Sequence, residues 1–227
     1  MKYTTENGIH IVESPVSDFK IVMCDKVKKT ASARNYINAG FFAAYKEDGK
    51  TFTLPVAHIV CDYSASSQLT KKYCTERGNF IGNKFSFDSN NWSYPNQFYG
   101  KAISSLIIDG GKANIQDIKT LPSLSDYAIS GIPVMRNGGD VTFASYVVNQ
   151  GWDSSSLYAT WHTFVGLKNK DASTIYIFGM KTTSANMIKS AESYKKFKAL
   201  GLIDVIKLDG GGSFYMNING KSVASTS

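Results

Sequence analysis

Long apolar runs are missing from this chain of 227 residues. Stretches such as Ser105-Leu106-Ile107-Ile108 and Thr174-Ile175-Tyr176-Ile177-Phe178 are stopped by Asp109 and Gly179, far short of the roughly 20 apolar residues that a spanning helix needs. They read as strands, and no membrane span is expected. Met1 to Gly8 is polar and lacks the basic, apolar and small-residue succession of a secretory leader. Cysteine is scarce: Cys24, Cys61 and Cys74 have no metal-ligand spacing, and an odd number leaves one thiol unpaired under any disulfide scheme. This reads as a reducing compartment, and the expected location is the cytoplasm or a viral particle. Internal repeats, low-complexity tracts and Pro/Ser linkers are missing as well, which predicts one domain over residues 1–227.

A long block of like charge is also lacking. The net charge of +7 is spread over Lys26, Lys28 and Lys29, over Lys71 and Lys72, and over Lys195, Lys196 and Lys198. Such a surface suits a small phosphate-bearing ligand at least as well as a polymer. There is no basic helix with base-reading residues and no stacking motif of RNA-binding type, so a nucleic acid polymer is not an expected partner.

What is present is a strand-rich chain, with 43% hydrophobic residues to build one core. Segments rich in β-branched and aromatic residues, bounded by Gly, Asn or Asp, predict strands over Ile9 to Glu13, Phe19 to Cys24, Thr53 to Cys61, Ile103 to Ile108, Val141 to Val148, Thr163 to Leu167, Thr174 to Phe178, Val205 to Leu208 and Phe214 to Ile218. Asn219-Gly220 has the form of a tight hairpin turn leading into Lys221 to Val223. One helix is clear: Ser184 can cap it, Met187, Ile188, Ala191, Tyr194, Phe197 and Leu200 recur at three- and four-residue steps, and Gly201 stops it. The stretch Asn79 to Tyr99, alternating aromatics with Asn and Ser, reads as an edge hairpin or a long surface loop. The expected fold class is α+β, a strand-rich mixed sheet core with a few packed helices.

The densest chemical signal is Leu208-Asp209-Gly210-Gly211-Gly212-Ser213. Three glycines in a row cost backbone entropy, and after an apolar strand they mark a sharp turn or a place where something approaches the backbone. Successive amides at Gly210, Gly211 and Gly212, with the Ser213 hydroxyl, form a concave set of donors suited to phosphate oxygens or sugar hydroxyls. Asp209 at the lip either serves that site or hydrogen-bonds its own loop.

This loop, closing a helix-Gly-strand unit and followed by an aromatic strand and an Asn-Gly turn, resembles the phosphodiester glycosidase family, which includes the enzyme that uncovers mannose 6-phosphate. In the same order as in that family, Ile37-Asn38-Ala39-Gly40-Phe41-Phe42 is similar to its Asn-Gly-Gly-Phe-Phe motif, Ala128-Ile129-Ser130-Gly131-Ile132-Pro133-Val134 to its Ser-Gly-x-Pro segment, and Trp161-His162-Thr163-Phe164-Val165-Gly166 to its Pro-Arg-Thr-x-x-Gly segment. Glu192 falls where the family's helical Glu stands. The resemblance runs from about Ala33 to the C-terminus, with residues 51–101 unmatched as a family-atypical insertion.

The resemblance implies a hydrolase acting on the glycosidic bond of a sugar phosphodiester. It implies Asp209, His162 and Glu192 as catalytic groups, with Asn38, Ser130, Thr163, Lys181 and the Gly210 to Ser213 loop holding substrate. Glycosyl cleavage commonly uses one carboxyl as acid and another as nucleophile or base, although a phosphate leaving group lessens the need for the acid. Two positions depart from the family pattern. His162 stands in place of its Arg and is charged only below about pH 6.5. Phe178-Gly179 stands in place of its Asp-Gly, with Lys181 nearby to restore positive charge. They keep open an alternative: a catalytically altered binding module or virion-type protein recognising a glycosyl phosphate or nucleotide-derived ligand. No cofactor is evident. Asp209 with loop carbonyls has the hard-oxygen chemistry of a calcium or magnesium site, and the expected partner is a small glycosyl-phosphate or nucleotide-sugar-like substrate.

Overall fold

The computed structural model describes residues 1–24, 35–38, 44–47, 50–53, 56–60, 74–76, 101–118, 127–141, 149–152, 161–181 and 192–225. The expected stretch Asn79 to Tyr99, the helix start from Ser184 to Ala191, most of the strand Val141 to Val148, and the motif residues 39–42 lie outside them. In chain order the strands are β1 (Lys2–Glu6), β2 (Ile9–Pro15), β3 (Lys20–Cys24), β4 (Tyr36–Asn38), β5 (Ala44–Glu47), β6 (Lys50–Thr53), β7 (Val56–Val60), β8 (Cys74–Glu76), β9 (Ile103–Asp109), β10 (Lys112–Ile118), β11 (Tyr127–Ser130), β12 (Ile132–Arg136), β13 (Gly139–Asp140), β14 (Trp161–Leu167), β15 (Thr174–Lys181), β16 (Asp204–Gly210), β17 (Tyr215–Ile218) and β18 (Lys221–Ser225). The α-helix among the described residues, α1, covers Glu192–Ala199.

A seven-stranded sheet runs β1-β2-β15-β14-β16-β12-β13, a six-stranded sheet β18-β17-β4-β7-β3-β8 and a three-stranded sheet β10-β9-β11, with β5 and β6 paired apart. Every one of these pairings is antiparallel. The α+β expectation of a mixed sheet with a few packed helices is therefore corrected: the described fold is mostly β. The physical reason lies in the turns. Asn7-Gly8, Gly110-Gly111, Asn137-Gly138 and Asn219-Gly220 each place two consecutive residues at positive φ. This backbone matches strand twist in two-residue hairpins, and it folds polar segments such as Lys2–Glu6 and Lys112–Ile118 into strands that apolar patterning alone does not mark. Gly220, at φ +78, adopts a backbone that costs a side-chain-bearing residue about 1–2 kcal/mol. Gly220→Ala is expected to lower unfolding stability by about that amount, seen as a reduced urea midpoint with an unchanged slope.

The seven-stranded sheet has two buried faces. Its inner face sets Val12, Val165, Ile177, Ile206 and Leu208 against Ile37, Ile59, Phe214 and Met216 of the six-stranded sheet and Leu106, Ile108 and Ile129 of the three-stranded one. Its outer face sets Ile9, Ile11, Phe164, Phe178, Met180 and Val205 against Tyr194 and Phe197 of α1. Phe197 meets Phe164 and Phe178 edge-on at 5.2 and 4.9 Å between centroids, a favoured aromatic geometry. The helix ends as its sequence predicts. Gly201 takes φ +72, its N–H donates to the Lys198 carbonyl at 2.9 Å, and the Leu202 N–H donates to the Phe197 carbonyl at 3.0 Å, the paired bonds of a glycine C-cap. Leu202 then joins Phe197 in the outer cluster, so the cap also seats the helix on the sheet. Among the described residues no helix is long and apolar enough to cross a membrane.

Candidate functional site

β14 and β16 lie side by side in the middle of the seven-stranded sheet. Their register pairs Phe164 with Lys207 and His162 with Gly210, with a shift between the two pairs. Thus β16 carries one extra residue there, a bulge over Leu208 and Asp209. Bulges increase local twist and re-aim side chains, and are common beside active sites. β16 then runs into a single 3-10 turn, Gly211–Ser213, with Gly211 at φ +62. From that turn the chain enters β17, so the glycine loop is the crossing from the seven-stranded to the six-stranded sheet.

Three of the sequence motifs meet on β16. Trp161–Leu167 is its neighbour on one side. On the other side Ile132 pairs with Lys207, and Gly131 lies so close that a Cβ there would stand 2.6 Å from the Lys207 carbonyl oxygen. The Asn38 motif arrives through the other sheet. Ile37 pairs with Met216 and Tyr36 with Asn217, which sets Asn38 toward the end of β17 that leaves the glycine loop.

The individual residues separate as follows. Asp209 is 7% exposed, and its Oδ1 accepts the Gly210 N–H at 2.8 Å, the bond to its own loop that a turn aspartate makes. His162 is fully buried, with its ring 5.7 Å from that of Phe164. Thr163 is equally buried but on the opposite face, paired with Gly179. Lys181 pairs with Trp161 on Thr163's face and is exposed, so it is not gathered beside His162. Ser130 is buried and shares a 2.9 Å hydrogen bond with the Ser105 hydroxyl, and its neighbour Gly131 makes the contact with β16. Glu192 opens α1, on the layer that covers the outer face. Phe178, where the family pattern has a carboxylate, is fully buried against Phe197: this position belongs to the core.

One residue escaped the sequence reading. Lys207, two positions before Asp209, is 3% exposed, and its Nζ donates to the Leu208 carbonyl at 3.2 Å. Loss of hydration pushes its pKa down to about 8, with the negative charge of Asp209 opposing that fall. A lysine this deeply buried is rare outside functional or paired settings. The available signal was a lone charge inside the apolar run Val205-Ile206-Lys207-Leu208, which a solvent-facing strand position explained equally well.

The charged groups at the other end of β16 are structural. Arg136 Nη1 lies 3.1 Å from the buried Asp204 Oδ1 and also donates to the Ile115 carbonyl at 2.8 Å, while the Asn137 N–H donates to the same Asp204 oxygen at 3.0 Å. This ties the β12–β13 turn to the start of β16. Two of the helix lysines are likewise engaged, Lys196 with Glu6 and Lys198 with Asp140. Among the described residues no group of three or more His, Cys, Asp or Glu is placed to hold a metal ion.

No family model and no curated protein matches the chain. Among solved structures, the chain is similar to the catalytic domain of zebrafish N-acetylglucosamine-1-phosphodiester alpha-N-acetylglucosaminidase, auto-inhibited by its pro-peptide. The TM-score is 0.50 at 14% identity, over 98% of this chain and 73% of that one. It is also similar to a hypothetical protein from Synechocystis, with a TM-score of 0.47 at 8% identity, over 99% of this chain and 58% of that one. The first of these likenesses establishes a shared fold with that catalytic domain.

Proposed function

We propose that this chain is a single-domain hydrolase that cleaves the glycosidic bond of a sugar phosphodiester, releasing the sugar and a phosphomonoester. The observation that carries this reading is the convergence on β16 of the segments bearing His162, Ser130-Gly131 and Asp209, in the fold of an N-acetylglucosaminidase catalytic domain. Asp209 takes the proton of the attacking water as the water oxygen bonds to the anomeric carbon. The bond from that carbon to the phosphate oxygen breaks, and its electron pair leaves on the phosphate. Amides of the Gly210 to Ser213 turn, with Asn38 entering from β4, meet the charge that develops there. His162 carries a proton or contacts phosphate, Glu192 is the second carboxyl, and Ser130 supports the site through its neighbour Gly131 on β16, whereas Thr163 and Lys181, on the opposite sheet face from His162, take no part in this scheme.

Release of sugar from a panel of glycosyl phosphodiesters, including UDP-N-acetylglucosamine, tests the reading. Wild type is expected to turn over at least one compound, and Asp209→Ala to lose about a thousandfold in kcat while keeping its fold. A chelator arm reports on metal dependence. A second reading, a module that binds a glycosyl phosphate without cleaving it, is favoured by one observation: Phe178 occupies the core where the family pattern has a carboxylate. Tight binding of a panel compound with no turnover by wild type would select that reading.

A further inference from the structure

The strand register sets two of the three cysteines directly opposite each other. In the six-stranded sheet β3 lies between β7 and the edge strand β8. The β3–β8 ladder has three antiparallel pairs, Val22 with Glu76, Met23 with Thr75 and Cys24 with Cys74. Opposed residues of such a ladder stand on the same face of the sheet. Their Cα atoms are about 4.5–5.5 Å apart, inside the range of about 4.4–6.8 Å that a disulfide spans. The third cysteine, Cys61, follows Val60, which pairs with Lys20 at the other end of β3, about 13 Å along the strand from Cys24. An odd cysteine count leaves one thiol over, and the register selects Cys61 as that one. Proximity along the chain favours a different pairing. Cys61 and Cys74 are 13 positions apart, whereas Cys24 and Cys74 are 50 apart, and shorter loops close at lower entropic cost. An unfolded chain therefore favours Cys61 with Cys74, and only the folded sheet favours Cys24 with Cys74.

We propose that Cys24 and Cys74 are a disulfide-forming pair that fastens the edge strand β8 to β3, with a small-molecule disulfide of the glutathione class as oxidant. One cysteine thiolate attacks a sulfur of the oxidant, the oxidant's S–S bond breaks, and a mixed disulfide forms as the first thiolate leaves. The second cysteine gives up its proton, attacks the protein sulfur of that mixed disulfide and releases the second thiol. In sum the two cysteines lose two protons and two electrons, and the oxidant is reduced to two thiols. The bond sits where the chain leaves β3 and where it enters β8, the end at which a three-pair ladder opens. It closes a ring that contains β4 to β7, including the strand that pairs with β17 beyond the glycine loop. A reducing compartment keeps the pair as thiols, and an oxidising one closes it. The site is independent of the hydrolase reading, and turnover or its absence does not bear on it.

The test is equilibration of the full chain with excess oxidised glutathione, in native buffer and in urea, followed by trapping of free thiols and peptide mapping by mass spectrometry without reduction. The native protein is expected to yield a linked peptide pair containing Cys24 and Cys74, two hydrogens lighter than the separate peptides, with Cys61 left as a thiol or a glutathione adduct. Cys61→Ser is expected to form the same link, and Cys24→Ser to form no native link. In urea the Cys61 to Cys74 link is expected to exceed the Cys24 to Cys74 link by roughly sevenfold, as loop length dictates. A native protein that keeps three free thiols, carries glutathione adducts without a link, or links Cys61 to either partner overturns the proposal. So does the same distribution of links in native buffer and in urea, because the register would then have no part in the choice.

Discussion

Gly210→Ala is expected to destabilise the protein by about 3 kcal/mol or more, at the upper end of what overpacking a closely packed position costs, and to abolish any turnover. The cause is space and not backbone conformation, since Gly210 sits at φ −162, which any residue adopts. A methyl there would overlap the Trp161 carbonyl oxygen and stand 3.1 Å from the His162 Cα. Both are main-chain atoms of β14, a strand paired on one side with β15 and on the other with β16, so neither can move without breaking a ladder. Any relief separates Gly210 from His162 and undoes the bulge that carries Asp209. The neighbouring glycines respond differently. Gly211→Ala pays for positive φ, about 1–2 kcal/mol. Gly212 is exposed with no heavy atom within 4 Å of its would-be Cβ, so Gly212→Ala is expected to leave stability within about 0.5 kcal/mol. Urea unfolding of the three variants orders them, and equal effects at 210 and 212 would contradict this packing of β16 on β14.

Unfolding stability is expected to rise between pH 8 and pH 10 because of Lys207, opposite to the usual loss with alkali. The unfolded chain holds the Lys207 proton up to its ordinary 10.5, whereas the folded chain holds it only up to about 8. Between those values the unfolded state binds more protons, and stability therefore increases with pH. Below 8 both states are protonated and burial of the charge bears its full cost; above 10.5 both are neutral and the gain is complete. A difference of this size corresponds to about 3 kcal/mol at the rate of about 1.4 kcal/mol per unit. Other lysines and tyrosines titrate in the same range, so the measurement is a comparison: denaturant unfolding at pH 7.5 and 9.5 for wild type and Lys207→Met. Wild type is expected to gain relative to the variant by about 2 kcal/mol over that interval, and parallel pH dependence of the two would show that Lys207 is not a buried cation.

These two expectations concern residues three positions apart on one strand, Lys207 and Gly210, that differ in how legible they were. The loop was visible because three glycines, a preceding apolar strand and a following Asn-Gly turn are local signals. Gly201 as helix stop and Asn219-Gly220 as hairpin turn were visible for the same reason, and both take the left-handed backbone that their residue types predict. The same turn chemistry at Asn7-Gly8, Gly110-Gly111 and Asn137-Gly138 is the local signal for antiparallel hairpins, and apolar patterning does not carry it. The separation of His162 from Thr163 and Lys181 followed from strand alternation, once the register with β15 was known.

What the sequence determined by itself is the set of backbone conformations that depend on one or two residues: the turns, the helix stop and the position of the glycine loop after an apolar strand. The tertiary structure decided which groups are taken out of water together. Lys207 and Asp209 are two positions apart in any conformation, but their burial comes only with the packing of β12 and β14 on either side of β16. Phe178 became a core residue for the same reason, through Phe197 above it. Burial is a property of the neighbours an element acquires, which local sequence does not name.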